Sequence, residues 1–295
     1  MSKQLKRLNE IISVLHKYHL VKNSTPESMR EALEELGPTF IKIGQIMSSR
    51  PDLIPNEYCE ELKKLRSQVK PMTYSEVIDI LNTEYDSKTF SIFSSIEEKP
   101  IGSASIAQTH RAVLMDGKNV VIKIERPYVS ELMKQDIKVL KSAIRLLHID
   151  KIFSNILDIN AFLDEMYQTA LEEMDFIIET THMKTFASFN KNINYLKPVK
   201  VYQEYSTKNA LVMEYIGGVN INDLENLKKD GYDIEEISEK LADNYVKQAI
   251  DDGYFHADPH SDNIKICSGK IVYLDYGMMG SINVRNRNLL EKCIM

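Results

Sequence analysis

No stretch of this chain approaches the run of about 18 apolar residues that a transmembrane helix requires, so the sequence encodes no such span. The N-terminus lacks a compact apolar core with a small-residue cleavage site, which argues against secretion. Cysteine is scarce. Cys59, Cys267 and Cys293 are odd in number, far apart and without metal-ligand spacing; the pattern suits a reducing compartment and assigns them no chemistry. Clustered cations are missing too. A net charge of −6, a pI near 5.7 and scattered Lys and Arg argue against nucleic acid as the main partner, because phosphate binding needs clustered cations. There is no internal repeat and no low-complexity tract. What remains is a 295-residue chain with 43% hydrophobic content, long enough for two sub-domains around a cleft, and expected to be cytoplasmic or peripheral at a membrane surface.

The most informative stretch is 254–277. His256-Ala257-Asp258-Pro259-His260-Ser261-Asp262-Asn263 has the spacing H-x-D-x-x-x-x-N of a phosphoryl-transfer loop. There the Asp accepts the proton of the acceptor hydroxyl and the Asn holds magnesium, roles that fall to Asp258 and Asn263. Ile271-Val272-Tyr273-Leu274 reads as a buried strand, and Asp275-Tyr276-Gly277 follows where kinases have D-F-G, which makes Asp275 the second magnesium ligand. Each half alone is a weak signal; joined by a hairpin they are strong. The competing account treats Asp258 and Asn263 as turn formers and Asp275 as a strand-end cap, but leaves the spacing unexplained. His260 reads equally well as a packing histidine.

Taken in order, residues 1–20 place Leu5, Leu8, Ile12 and Leu15 at helical spacing among basic residues, a docking helix with a solvated face in preference to a membrane-surface or organelle-targeting helix. Thr25-Pro26-Glu27 starts a helix that Gly37-Pro38 interrupts, and a second runs to about Ser48 with Leu33, Leu36, Phe40 and Ile43 inward. On composition alone Lys42 and Gln45 are solvent-facing. Helices follow at about 56–67 and 74–83, then strands at 90–97, 101–114 and 119–125, with Asp116-Gly117 as a hairpin turn. The small residues Gly102 to Ala107, with Ala104 and Ser105 at their centre, stand where a kinase lays a glycine-rich loop over phosphates. Lys123, the one cation in a buried-looking strand, is the candidate phosphate-binding lysine, since a charge there should be paired or ligand-bound. Helical stretches at 128–147 and 157–187 carry Glu172, Glu173, Asp175 and Glu179, one of which should partner the lysine. Strand-like 198–204 and 210–216 lead to Glu214-Tyr215-Ile216-Gly217-Gly218, a hinge whose Glu214 is a cofactor-binding candidate, and a helix at 234–252 delivers the chain to the catalytic loop.

These motifs resemble the UbiB/ADCK (AarF-type) family of atypical protein-kinase-like proteins from about residue 25 onward. Lys42-Ile43-Gly44-Gln45 matches its K-x-G-Q, Ala104-Ser105-Ile106-Ala107-Gln108 its alanine-rich nucleotide loop, and Lys123 in Val-Ile-Lys-Ile-Glu-Arg-Pro its third-strand lysine. Glu173-Met174-Asp175 matches E-x-D, Glu179 the glutamate expected to pair with Lys123, and the two loops of 256–277 the catalytic and metal segments. The resemblance implies an α+β, protein-kinase-like bilobal fold. It divides the chain into an N-terminal helical extension (1–85) carrying K-x-G-Q, an N-lobe with inserted helices (86–216) and a partial C-lobe (217–295). It also implies binding of ATP or ADP with Mg2+, ATPase or phosphoryl-transfer activity, and a role in ubiquinone or other isoprenoid-lipid metabolism. The implied partners are then an isoprenoid lipid or membrane surface and lipid-biosynthesis proteins. Lys42 and Gln45 would form a regulatory extension together with Glu173 and Asp175. Four departures stand out: Gly102 at the start of the loop, Ser261-Asp262 for Pro-Gly, Tyr276 for Phe, and 18 residues after Gly277 where family members continue further, so that the C-lobe reads as truncated. Two other readings are a nucleotide-gated pseudokinase-like module and a small-molecule phosphotransferase; K-x-G-Q and E-x-D speak against the latter.

Overall fold

The computed structural model describes residues 3–20, 24–48, 50–65, 70–146, 158–257 and 259–294. Asp258, and positions 66–67, 147 and 157 of the expected helices, lie outside the described residues. Long-range contacts gather the chain into two compact units, each built from three separate stretches. The first is Met1–Ser87, Glu97–His110 and Lys123–Met174; the second is Lys88–Ile96, Arg111–Ile122 and Asp175–Met295.

The first unit is mainly helical: α1 (Lys3–Lys17), α2 (Pro26–Leu36), α3 (Pro38–Ser48), α4 (Asn56–Leu62), α5 (Tyr74–Glu84), α6 (Val129–Leu146) and α7 (Ile159–Glu173). Thr25 caps α2 by accepting the Ser28 amide at 3.1 Å while the Ser28 hydroxyl accepts the Thr25 amide at 2.9 Å. Gly37, at φ +95°, ends it before Pro38 starts α3. Leu33, Leu36 and Phe40 are buried in one cluster with Ile11, Val14 and Leu62, and Ile43 packs against it. Helix α1 therefore docks on this core through half of the expected stripe: Leu8 and Leu15 pack against it beside the buried Ile11 and Val14, while Leu5 and Ile12 stay 47% and 44% exposed.

The strands are β1 (Phe93–Ile96), β2 (Gly102–Ser103), β3 (Ala107–Leu114), β4 (Asn119–Glu125) and β5 (Ala210–Glu214), in the order β1-β3-β4-β5 with β2 on β3. The single strand expected over 101–114 is interrupted because the Ala104 amide turns back to the Ala107 carbonyl at 2.8 Å. The expected hairpin turn at Asp116-Gly117 is present, Gly117 taking φ +83°.

In the second unit α8 (Phe176–Asn190) begins at Asp175, whose side chain accepts the Ile177 amide at 3.0 Å. That cap corrects the continuous helix expected over 157–187: a residue whose extended backbone and side chain start one helix cannot continue the preceding one. The expected strand at 198–204 reduces to a bridge between Val201 and Met213 and a 3-10 turn at Gln203–Tyr205. Helices α9 (Leu224–Lys229), α10 (Ile234–Lys247) and α11 (Val284–Ile294) accompany β6 (Val219–Asn220), β7 (Tyr254–His256), β8 (Ile264–Cys267), β9 (Lys270–Tyr273) and β10 (Met279–Ser281). These strands form a β6-β8-β9 sheet and a β7-β10 pair. No helix among the described residues is long and apolar enough to cross a membrane.

Gly218 is the most closely approached glycine described in the second unit. At φ +93° it lies where a Cβ would stand 2.2 Å from the Ile266 carbonyl oxygen and 3.1 Å from Cys267 Cα, both backbone atoms that cannot swing away. Gly218→Ala is expected to destabilise the protein by at least about 2 kcal/mol. A urea titration in which this variant keeps the wild-type midpoint would contradict the close approach of β6 and β8.

Candidate active site

In the first unit Lys42 and Glu173, 131 positions apart, form a close pair: Lys42 Nζ lies 2.5 Å from each carboxylate oxygen, and the side chains are only 12% and 13% exposed. Lys42 is thus not the solvent-facing residue that composition suggests. Its neighbour Gly44 explains how α3 gets so close to its surroundings: a Cβ there would meet Leu65 Cδ1 at 2.2 Å and Leu33 Cδ1 at 2.7 Å. Gln45 donates to the Leu65 carbonyl at 3.2 Å. Three residues of the K-x-G-Q motif therefore have distinct physical jobs: a charge pair, a helix contact and a loop anchor.

The loop after β2 belongs to the same unit. Ser105 is buried and Ala104 half-buried. Arg126, which sequence reasoning passed over, holds the loop through Nε to the Ala104 carbonyl at 2.8 Å and Nη2 to Ser103 Oγ at 2.7 Å. Gln108 and His110, both fully buried, continue the framework. The Gln108 amide exchanges bonds with the Met72 backbone at 2.7 and 3.2 Å and donates to His110 Nε2 at 2.8 Å, so His110 Nδ1 carries the proton given to the Glu97 carbonyl at 2.7 Å. Burial lowers the His110 pKa, which keeps it in this neutral form. Lys123 lies half-buried near the end of β4, between the fully buried Ile122 and Ile124.

In the second unit the D-Y-G segment is held from several directions. His256, on β7 and 2% exposed, donates Nε2–H to the Asp275 carbonyl at 2.7 Å. The Tyr276 amide donates to Glu179 Oε1 at 3.2 Å, the Tyr276 carbonyl accepts from His182 Nδ1 at 2.9 Å, and the Gly277 amide donates to Asp275 Oδ1 at 2.8 Å. The rings of Phe186 and Tyr276 meet edge-on at 5.1 Å, and His256 stacks on Tyr273 at 5.7 Å. Burial pushes both tyrosine hydroxyls well above their usual pKa, so they stay neutral. Asn263 closes a 3-10 turn, and its carbonyl accepts the Leu274 amide at 2.8 Å, which ties it to the residue before Asp275. Asp262, the added acid of this loop, faces Asn222, whose amide donates to it at 2.9 Å.

Asn263 and Asp275 thus stand at the two ends of the β8–β9 hairpin, and both carry an oxygen-bearing side chain, the donor type Mg2+ takes while keeping waters and phosphate oxygens for its other positions, so the residue types fit that ion. Glu214, at the end of β5, instead pairs with Lys197 at 2.7 Å, both side chains about one-third exposed. Asp175 is engaged as the α8 cap. Besides Arg126, the unexpected participants are Gln248 and Asn244. Gln248 Oε1 accepts the His256 amide at 2.9 Å and its Nε2 donates to Asn244 Oδ1 at 2.6 Å. Their only sequence signal is a pair of amides four apart in a helix that otherwise alternates charge and apolar residues.

Comparison with known proteins accords with this geometry. The sequence pattern of the ABC1 atypical kinase-like domain matches residues 64–295. A Clostridium pasteurianum protein, described as an uncharacterized protein in hydrogenase 1 5'region, is 39% identical over 298 residues, covering 98% of this chain and 56% of its own length. The chloroplastic protein ACTIVITY OF BC1 COMPLEX KINASE 8 of Arabidopsis thaliana is 36% identical, with 89% of this chain and 35% of that protein covered. AarF domain-containing protein kinase 1 of Gallus gallus is 34% identical over 88% of this chain and 52% of that protein. This chain thus spans roughly a third to just over half of these relatives. Among solved structures, Rv3197 of Mycobacterium tuberculosis in complex with erythromycin superposes with a TM-score of 0.61 and 26% identity, over 84% of this chain and 63% of that one. The fold is α+β and kinase-like, and the chain belongs to the ABC1 atypical kinase-like family.

Proposed function

We propose that this chain binds ATP or ADP with Mg2+ and hydrolyses ATP or transfers its terminal phosphoryl group. The observation that carries the proposal is the hold on the backbone of Asp275-Tyr276 by His256, Glu179 and His182, at the end of a hairpin whose other side begins at Asn263. In this reading Asn263 and Asp275 hold Mg2+, which on binding would offset phosphate charge. Asp258 orients the attacking hydroxyl or water. Ala104 and Ser105 approach the phosphates, Glu214 lies at the adenine end, and Lys123 and Glu179 fill the roles of the kinase lysine and glutamate. A role in ubiquinone or other isoprenoid-lipid metabolism, with a lipid or membrane surface as partner, belongs to the same proposal.

The test is titration with a fluorescent adenine nucleotide with and without Mg2+, followed by phosphate release. Asp275→Asn is expected to weaken Mg-nucleotide binding more than Asp258→Asn, because a direct metal ligand acts in the bound ground state while the base acts on the attacking group. Equal losses would refute these roles. Lys42→Ala removes the cation from a nearly buried Glu173 and is expected to change nucleotide affinity or ATP/ADP selectivity about tenfold, a coupling of roughly 1.4 kcal/mol, and to raise self-labelling by ATP. Unchanged affinities with no gain of labelling would detach the extension from nucleotide handling.

A further inference from the structure

Arg126 does more than stiffen a turn. Its backbone amide donates to the Ile106 carbonyl at 2.8 Å, Nε donates to the Ala104 carbonyl at 2.8 Å, and Nη2 donates to Ser103 Oγ at 2.7 Å. The same Nη2 also reaches the Lys70 carbonyl at 3.1 Å. Two positions along the chain from Lys70, Met72 exchanges both of its backbone bonds with the buried Gln108, which follows the loop on β3. One planar guanidinium and one amide thus join segment 70–72, from the helical stretch before the sheet, to both ends of the loop 103–107. The bonds named for Arg126 all end on neutral oxygens. Satisfying a half-buried guanidinium in this way needs a fork of fixed geometry, which lysine cannot supply.

We infer that Arg126 is a positioning residue through which segment 70–72 regulates the nucleotide loop: while the clamp is closed the loop keeps the backbone path that accepts phosphates, and displacement of the segment releases it. The inference rests on the nucleotide reading above, which gives the loop its ligand. It makes the stretch before the sheet a regulator of nucleotide grip by direct main-chain contact, separately from the Lys42–Glu173 pair.

The experiment is hydrogen exchange of the full chain without nucleotide, paired with fluorescent ADP titration, on the wild type, Arg126→Lys, Arg126→Ala and the milder Ser103→Ala. In Arg126→Lys, amides of 103–107 and of 70–73 are expected to exchange together about tenfold faster, while peptides from α2 and α3 keep their wild-type protection. ADP affinity should fall by about the same factor, with Ser103→Ala giving a smaller change in the same direction. Uniformly faster exchange across the whole first unit would mean that Arg126 only supports the fold, and would overturn the inference. So would loop acceleration that leaves 70–73 unchanged. If Arg126→Ala does not fold, Arg126→Lys and Ser103→Ala still decide. If the wild type binds no ADP, the nucleotide reading falls and the regulatory role with it, while the exchange data report separately whether the clamp exists.

Discussion

Asp136→Ala is expected to cost about 3–5 kcal/mol of stability, the range for stranding one partner of a buried ion pair. Asp136 is fully buried on α6 and receives Arg7 Nε at 2.7 Å and Nη2 at 2.9 Å, while the same Nη2 also donates to the Leu36 carbonyl at 2.8 Å. Arg7 in turn lies over the Phe40 ring, 5.7 Å from its centroid. One side chain on α1 therefore binds α6, caps the C-terminal end of α2 and packs on α3. The hydrogen bonds Arg7 donates to Asp136 are the main cause of its raised pKa, and because a guanidinium stays charged at any ordinary pH even without them, Arg7 cannot escape the loss by neutralising. Removal of the carboxylate alone should detach α1 from the core of the first unit. The double replacement Arg7→Met with Asp136→Leu should recover most of the loss, because a desolvated pair is often no better than an apolar one of similar volume. Urea unfolding measures both. A single variant within about 0.5 kcal/mol of wild type, the range of an ordinary surface change, would show that the pair is not buried as described.

Gln248→Leu is expected to cost about 2 kcal/mol, because leucine occupies the space but strands the buried His256 amide, at roughly 1–3 kcal/mol for a buried unsatisfied group, and leaves Asn244 Oδ1 with Tyr273 Oη as its remaining donor. The affected network extends well beyond one bond. Asn244 Nδ2 donates to Asn190 Oδ1 at 2.9 Å, the Asn190 amide donates to the Phe186 carbonyl at 2.9 Å, and Tyr273 Oη donates to Asn244 Oδ1 at 3.1 Å. Gln248, Asn244 and Asn190 are each no more than 1% exposed. The π-helical turn at Gln248–Asp252, closed by Gly253 at φ +63°, sets Gln248 against β7. Since His256 holds the Asp275 carbonyl, the variant should lose Mg-dependent nucleotide binding at temperatures where it is still folded. Gln248→Glu keeps an acceptor for the His256 amide and should retain more binding than the leucine variant. Thermal melts with nucleotide titration below the transition separate the two effects. Full binding by Gln248→Leu would show that the network serves stability only.

The sequence by itself determined what depends on residues close along the chain. Thr25-Pro26 and Gly37-Pro38 set the bounds of α2 and α3 through a cap and a backbone break, and Asp116-Gly117 set a hairpin whose conformation only glycine accepts cheaply. The stretch from His256 to Asp275 announced a loop followed by a hairpin, because two short apolar runs on either side of Ser268-Gly269 are a local signal. Tertiary structure decided the pairings. Lys42 with Glu173 and Arg7 with Asp136 join positions 131 and 129 apart, and neither composition nor helical period says which acid a given cation will meet. Periodicity located α1 and half of its inner face, Leu8 and Leu15, but Ile11 and Val14 are buried in place of Leu5 and Ile12, a choice that only the shape of the core between α2, α3 and α6 makes. The break at Met174-Asp175 was hidden for a related reason: a helix-forming run continues in propensity across it, and the Asp175 cap gains only when Ile177 begins a second helix. Gln248 and Arg126 were invisible as site residues because their value lies in main-chain groups they satisfy, and those groups look alike in every sequence until folding brings particular ones within reach of a side chain.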